Sequence, residues 1–561
     1  MLANIKKLTT KEIFVLVLFF IFLMIYLLPG IYGHTPWKQD ENYSFGIIQT
    51  MYETSNWLVP TNAGEPFMEK PPIYYWTATI MLHLLSDIMP MHDAARTATL
   101  LFSLLNFSFF ILLARRVFDA SSFNDPRIWL AFSLYACAPG LLRHSHDMFT
   151  DTALIAGATM ALYGLSGLIK SQKLGYSILW LSLGLTLAML AKGVFVPGVI
   201  GLTLLIIPIF QPGCRRKSYW LSALIAGIIA LILILPWPVM LYLSHPEQFY
   251  EWFWINNFGR FFGFSVDKLG AKANLTRIPA AVLFFAFPSG ILAIWALLRS
   301  PRKILLSSSL SLLAIFAILG VILLQISASG RALYLLPFIA PMAILAVLPV
   351  SQLPRKMLTA VTRFSTIFWS ILIILVWVLY FLSLSDSTKP LLSIFKKWLP
   401  MSYEMHFSVL ACGGALLLSL IWLFRRYFIS ADPALKSIQH WLLGMTVVWG
   451  IIYILLVGWI DYAKGYKQVF IDMKQHIATH YQDTDCMASY NIGESEAPML
   501  YYFAGILHHR QPQFNRPQHC RWLITFSKYI QPAPEGMKLI WAGHRPDEEH
   551  ENLVVYQTIT P

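Results

Sequence analysis

Between positions 13 and 460 the chain alternates long apolar runs with short polar breaks. Each run holds roughly 17 to 25 residues, enough for a helix to cross the ~30 Å hydrocarbon layer of a bilayer. Basic clusters punctuate the runs at Lys6/Lys7/Lys11, Arg115/Arg116/Arg127, Lys170/Lys173, Arg215/Arg216/Lys217, Arg299/Arg302/Lys303, Arg355/Lys356/Arg363 and Arg425/Arg426. The positive-inside rule assigns these to the cytoplasm. The opposite side then receives residues 34–71, the neighbourhood of Asp151, the turn at Lys192, and residues 244–277, 327–331 and 385–406. The first run, 13–31, follows Lys6, Lys7 and Lys11 but reaches no small-residue cleavage site, so it reads as an uncleaved first span.

Alternation closes only if the three apolar runs between 72 and 142 supply two crossings, for about thirteen spans in all. Arg115, Arg116 and Arg127 favour spans at 94–114 and 128–142, leaving 73–89 tilted, re-entrant or interfacial. After Asp461 the pattern becomes that of a water-soluble unit. An amphipathic helix is expected over 468–481, strands at 486–492, 521–526, 538–542 and 553–558, and a helix over 495–504. The chain thus divides into a transmembrane part, 1–460, with a first outer loop at 34–71, and a small α/β domain, 461–561, on the outer side. No internal repeat or low-complexity linker is visible.

Composition narrows the class. The 561 residues are 57% hydrophobic and only 13% charged, which excludes a string of soluble domains. The net charge of +13 lies in short clusters between apolar runs, not on faces interleaved with aromatics, so nucleic acid is not an expected partner. Cys137, Cys214 and Cys412 sit in or beside apolar runs. Cys486 and Cys520 lie in the polar C-terminal segment, either as a pair in an oxidising compartment or as two unrelated thiols. No zinc spacing is present.

Candidate chemistry concentrates on the outer side. The first outer loop reads HTPWKQDENYSFGIIQTMYETSNWLVPTNAGEPFMEKPPIYYW, with Asp40 and Glu41 just past the first span and Glu69-Lys70 before Pro71-Pro72. Trp37, Trp57, Tyr52 and Tyr74 fit interfacial anchors. Ionisable groups gathered at one membrane depth are functional candidates. Asp147 and Asp151 in RHSHDMFTDTALIAG, Lys192 in LAMLAKGVFVPG, Arg260 in WINNFGRFFG, and Arg331 and Tyr334 in SASGRALYLLPF fall at the same level. Carboxylates that orient a nucleophile, together with cations that neutralise a departing phosphate, suit this set.

These segments resemble bacterial inner-membrane glycosyltransferases of the GT-C superfamily that use polyprenyl-phosphate sugars, a group including the lipid A 4-amino-4-deoxy-L-arabinose transferases and the protein O-mannosyltransferases. The DE pair, the W-x-V-P and EKPP-x-x-YW segments, AKGVFVPG, PWPVMLY with NNFGRFFG, and ALYLLP carry the resemblance across nearly all of the membrane part. It implies a polytopic helical fold of about 13 spans with a periplasmic C-terminal domain. It also implies Asp40 as catalytic carboxylate beside Glu41, Asp151 as second acidic position, and Lys70, Arg260, Lys192, Tyr334 and Arg331 around the donor phosphate.

The implied partners are a polyprenyl-phosphate-sugar donor and a lipid or glycan acceptor, most simply lipid A or a related glycolipid, handled by a monomer in the bacterial inner membrane with its site facing the periplasm. Three departures stand out. Tyr43 replaces an Arg that commonly follows the DE pair, and Arg331 replaces the Lys of a Ser-Lys-Leu. Ile255, Asn256 and Asn257 stand where the aminoarabinose enzymes carry a His that shares a metal with the Glu before Lys70, so no metal cofactor is expected at Glu69. Rival classes are a protein O-glycosyltransferase, a transporter or flippase of lipid-linked saccharides, and a non-catalytic scaffold or sensor.

Overall fold

A computed structural model describes residues 9–265 and 275–559, apart from 397, 483, 547 and 549. Lys6 and Lys7, and the stretch 266–274 of the expected 244–277 loop, lie outside the described residues. Helix α1 (Thr10–Ile31) opens with a capping box in which Thr9 and Glu12 exchange hydrogen bonds. It breaks at Pro29 and Gly30, and the Trp449 indole donates to the Pro29 carbonyl at 2.9 Å. Then follow α2 (Asp40–Thr54), a two-residue ribbon of β1 (Thr61–Asn62) and β2 (Glu65–Pro66), α3 (Ile73–Leu85), α4 (Met91–Val117), α5 (Pro126–Ala136) and α6 (Pro139–His144).

The remaining membrane helices are α7 (Asp151–Ile169), α8 (Leu174–Lys192), α9 (Phe195–Phe210), α10 (Lys217–Ser244), α11 (Arg277–Phe285), α12 (Ser289–Arg299), α13 (Ser308–Ile326), α14 (Ala332–Val350), α15 (Arg355–Ser383), α16 (Val409–Leu423) and α17 (Pro433–Lys464). Among the described residues nine helices are long and apolar enough to cross a membrane, ten if α11 and α12, bent by 101°, form one span. Helices α3, α9 and α16 are shorter apolar helices. The chain is therefore a polytopic helical membrane protein. Helix α3 has 13 residues, about 20 Å at ~1.5 Å per residue, which falls short of a full crossing. The 128–142 run is divided between α5 and α6, with Pro139 opening the second piece.

The two ends of the bundle differ in chemistry. At one end Lys170 reaches the Arg116 carbonyl and Asp119, Arg216 donates to the Leu168 and Ile169 carbonyls, and Glu12 accepts from Ser122 and the Phe123 N–H. These are the basic-cluster loops. The other end collects the first outer loop, the start of α7, the end of α8 and the end of α17.

Beyond Lys464 lie α18 (Lys467–Ile477) and a five-stranded sheet ordered β4-β3-β5-β7-β6, from β3 (Met487–Tyr490), β4 (His508–Arg510), β5 (Trp522–Ser527), β6 (Met537–Gly543) and β7 (Asn552–Thr558), with α19 (Glu496–Ala504) crossing from β3 to β4. Strands β4, β3 and β5 are parallel and β7 runs antiparallel to its neighbours. The four strands read from the alternating pattern are present. The edge strand β4, His-His-Arg, has no β-branched residue to mark it. Cys486 and Cys520 precede the adjacent strands β3 and β5 and are disulfide-bonded.

Helices α7 and α8 place two site residues by close backbone contact. A Cβ on Gly164 would stand 2.3 Å from Leu181 N, and one on Gly184 2.3 Å from Ala161 N. Small residues let helix backbones touch in a membrane, where no hydrophobic drive between helices exists. Because α7 starts at Asp151 and α8 ends at Lys192, this hairpin brings the two together. Gly184→Leu is expected to push the helices apart and lower the thermal midpoint of the detergent-purified protein by several degrees; an unchanged midpoint would show that the crossing tolerates separation.

Candidate functional site

The site is built outward from one buried cation. Arg96, 0% exposed on α4, donates to Glu41 Oε1 at 3.1 Å, to Glu41 Oε2 at 3.3 Å, to Asp93 at 3.1 Å, and to the carbonyls of His34 and Thr35 at 2.6 and 2.9 Å. Glu41 also accepts from the Trp37 and Met148 N–H groups, at 3.0 and 2.9 Å. Four bonds fill the roughly four acceptor positions of a carboxylate. Burial alone would raise the Glu41 pKa, but Arg96, His34 and these hydrogen bonds outweigh it and hold the group at about 2.

The expectation that Glu41 acts beside Asp40 in catalysis is therefore corrected. Its oxygens are committed to fixing the first outer loop onto α4. Asp461 at the end of α17 fixes the same loop from the other side, with one oxygen accepting from the Thr35 N–H and hydroxyl and the Trp37 indole at 3.0, 2.6 and 2.8 Å.

Asp40, next to Glu41, is the first residue of α2 and only partly buried. A carboxylate in the first helical turn is favoured by the helix dipole. The Tyr43 hydroxyl donates to Asp40 at 3.0 Å. Burial and the nearby Asp40 push the Tyr43 phenol well up, so it stays a donor. The departure at position 43 thus supplies a neutral brace for Asp40 where a cation was expected.

Lys70, Lys192, Arg260, Tyr334 and Glu69 line one cavity of about 580 Å³. Glu69 accepts from Lys70 at 2.8 Å and pairs with Arg260 through its other oxygen. Lys192 bonds both oxygens of Asp151 at 2.5 Å and lies 4.5 Å over the Tyr334 ring. Lys192, Lys70, Arg260 and Arg331 all act electrostatically on the Tyr334 phenol. The buried Arg260 Nε and Asn256 Oδ1 have no partner among the described residues.

Below this polar head the cavity becomes apolar, along Leu202, Leu205, Leu323 and Leu324, where Gly198 and Gly201 leave open space. Arg331 is exposed and stands at the rim, outside the lining. Asp40 also lies outside the lining, in electrostatic reach of Tyr75, as Asp151 is. The residues do not fit a divalent metal at Glu69, because both carboxylate oxygens face cations. Among the described residues no three His, Cys, Asp or Glu side chains converge.

The C-terminal unit packs onto the first outer loop. Lys38 pairs with Glu496 at 3.2 Å and Glu551 at 2.8 Å, Tyr501 donates to Glu53 at 2.5 Å, and Arg510 pairs with Glu65 at 2.6 Å. Glu494, between β3 and α19, acts electrostatically with Lys70, Asp40 and Arg260. Sequence reasoning passed over Arg96, Asp461 and Glu494. A lone Arg inside an apolar run was a legible signal for the first, whereas nothing local marks Glu494.

A crystal structure of ArnT from Cupriavidus metallidurans bound to undecaprenyl phosphate superposes with a TM-score of 0.68, covering 97% of this chain and 98% of that one at 16% identity. The dolichyl-phosphate-mannose-protein mannosyltransferase family model matches residues 69–240. In fold and in sequence the chain is similar to glycosyltransferases of the GT-C superfamily.

Sequence relatives of the chain include undecaprenyl phosphate-alpha-4-amino-4-deoxy-L-arabinose arabinosyl transferases. That of Aeromonas hydrophila is 27% identical over 330 residues and that of Serratia proteamaculans 24% over 332, each match covering 58% of this chain. The chain spans 57% of the length of these relatives.

Breaking the Arg96–Glu41 pair leaves one buried charge uncompensated, a loss of about 3–5 kcal/mol. Arg96→Met and Glu41→Gln are each expected to lower the unfolding midpoint in detergent, whereas Asp40→Asn leaves it unchanged. A carboxylate held at about 2 contributes fully above its ordinary 4.5 and loses that contribution only as pH falls toward 2. The Glu41→Gln deficit should therefore be constant from about pH 5 to 8; a deficit that shrinks within that window would contradict the network.

Proposed function

We propose that the chain is an integral-membrane glycosyltransferase that moves a sugar from a polyprenyl-phosphate donor to an acceptor on the outer face, lipid A or a related glycolipid, with the lipid phosphate as leaving group. The observation that carries this reading is the shape and charge of the cavity. Lys70, Lys192 and Arg260 crowd one end, with an unpaired Arg260 N–H, and an apolar groove leads away from them toward the membrane interior. A phosphate headed by cations and trailed by a long hydrocarbon has that form. The ArnT neighbour's undecaprenyl phosphate is a lipid of this kind.

In the displacement, the acceptor oxygen forms a bond to the anomeric carbon as the bond from that carbon to the phosphate oxygen breaks. The electron pair leaves with the lipid phosphate. Lys70 and Arg260 stabilise the charge that grows there by charge-assisted hydrogen bonds. Lys192, held by Asp151, adds a cation beside the Tyr334 ring and hydroxyl, and Arg331 extends the positive field at the rim. Asp40, braced by Tyr43, orients the acceptor and takes its proton when the acceptor is a hydroxyl. Glu69 spaces Lys70 and Arg260.

The two-part division, membrane helices followed by an outer domain, belongs to the same proposal. The disulfide between Cys486 and Cys520 supports an oxidising compartment, hence the periplasmic side of a bacterial inner membrane. A second reading, transfer to protein, is favoured by the protein mannosyltransferase family match over 69–240. A transporter would place its charges near the bilayer midplane on paired broken helices; here they gather at one end of the bundle.

Asp40→Asn should reduce sugar transfer by about 10²-fold or more while the protein still accumulates in the membrane. Wild-type levels of glycolipid modification by that variant, read by mass spectrometry, would sink the assignment. Lys70→Ala should weaken binding of undecaprenyl phosphate to the purified protein about tenfold, near 1.4 kcal/mol; unchanged affinity would remove Lys70 from the phosphate site.

A further inference from the structure

Three cations reach the donor cavity from separate parts of the chain. Lys70 comes from the first outer loop, Lys192 from the end of α8, and Arg260 directly follows a wide, π-type helical segment, Glu251–Gly259. Their like charges repel. Glu69 joins Lys70 to Arg260, and Asp151 holds Lys192, but neither carboxylate joins Lys192 to the other two.

Two neighbouring amides supply the missing ties. Asn257 Oδ1 accepts from the Val194 N–H, two residues past Lys192, at 3.2 Å, while its Nδ2 donates to the Trp252 carbonyl at 2.8 Å. Asn256 Nδ2 donates to the Met68 carbonyl, one residue before Glu69, at 3.1 Å, and to the Glu251 carbonyl at 3.2 Å. Each side chain thus grips a carbonyl of its own segment together with one other loop. The Arg260 N–H donates to the Asn257 carbonyl, so Arg260 rides on the same turn. Among the described residues no other hydrogen bond joins Glu251–Gly259 to the loops that bear Lys70 and Lys192.

The fit is close. Gly193 has a φ of +88°, and a Cβ there would stand 2.0 Å from Asn257 Oδ1. Chemistry fixes the orientation of the Asn256 amide, because both of its neighbours are carbonyls and only the NH2 group can meet them. That orientation leaves Asn256 Oδ1 buried with no partner among the described residues, a cost that a space-filling residue would not carry.

We propose that Asn256 and Asn257 are positioning residues of the phosphate site, setting the spacing of Lys70, Lys192 and Arg260 so that the three cations meet one lipid phosphate together. The inference rests on the glycosyltransferase reading for its ligand, and adds the side chains that shape the phosphate pocket. Neither amide is placed on the phosphate; each acts through a cation. Hydrogen bonds from those cations weaken steeply with distance and angle, so loss of one tie lowers affinity for the phosphate and not for the hydrocarbon.

Binding to the purified full-length protein is measured with undecaprenyl phosphate and with undecaprenol, which has the same tail and no charge. Asn257→Ala and Asn256→Ala should each weaken undecaprenyl phosphate roughly three- to tenfold, as expected for one lost hydrogen bond, and leave undecaprenol within twofold of wild type. A double-mutant cycle separates positioning from simple stabilisation. In a Lys192→Ala background the Asn257→Ala penalty should shrink to twofold or less, because the cation it serves is gone, and Asn256→Ala should behave likewise in Lys70→Ala.

Wild-type affinity in both Asn variants, penalties that simply add to those of the lysine variants, or an equal loss of undecaprenol binding overturns the inference while leaving the glycosyltransferase reading in place. Where one Asn variant does not accumulate, the other, paired with its own lysine, carries the test; failure of both overturns the inference, because the amides then serve the fold. Undecaprenyl phosphate that binds Lys70→Ala and Lys192→Ala as tightly as wild type overturns the reading of the phosphate site itself.

Discussion

The site depends first on the buried contact between Arg96 and Glu41. A guanidinium with no exposure inside an apolar helix is stable only if its donors are met, and the first outer loop meets them with a carboxylate and two carbonyls. The loop between α1 and α2 has no regular hydrogen bonding of its own. Arg96 on one side and Asp461 on the other hold it in place. Asp40 then emerges from that loop at the head of α2, so the Arg96–Glu41 pair sets where the Asp40 carboxylate stands.

The same logic separates the two kinds of charge. Cations at the basic-loop end donate to helix-terminal carbonyls and to local carboxylates, and so serve anchoring. Those at the opposite end share too few carboxylates. Glu69 serves both Lys70 and Arg260, while Asp151 serves Lys192. Three cations thus meet two carboxylates at the head of an apolar groove.

Much of this was legible in the chain, for identifiable reasons. Membrane helices announce themselves because the bilayer demands long apolar runs, and the strands from Met487 on follow a period of two. Lys70, Lys192, Arg260 and Tyr334 were found because polar residues interrupt apolar sequence at one depth, and the structure brings them to one cavity. What failed to show was partnership. Asp40 and Glu41 are adjacent letters with equal chemistry, and only the position of Arg96, 55 residues on, turns one inward and leaves the other at the site. Glu494 sits 455 residues from Gln39, in a unit whose local pattern speaks only of its own core.

Those separations bear on how the protein is made. Thr35 waits for Asp461, 426 residues later, and Lys38 for Glu551, 513 residues later. A chain emerging at about 5–20 residues per second inserts its first helices well before those partners exist. The first outer loop thus lacks these two partners until the C-terminal part has been made. A chain cut short before Asp461 therefore leaves the Thr35 hydroxyl and the Trp37 indole without their acceptor.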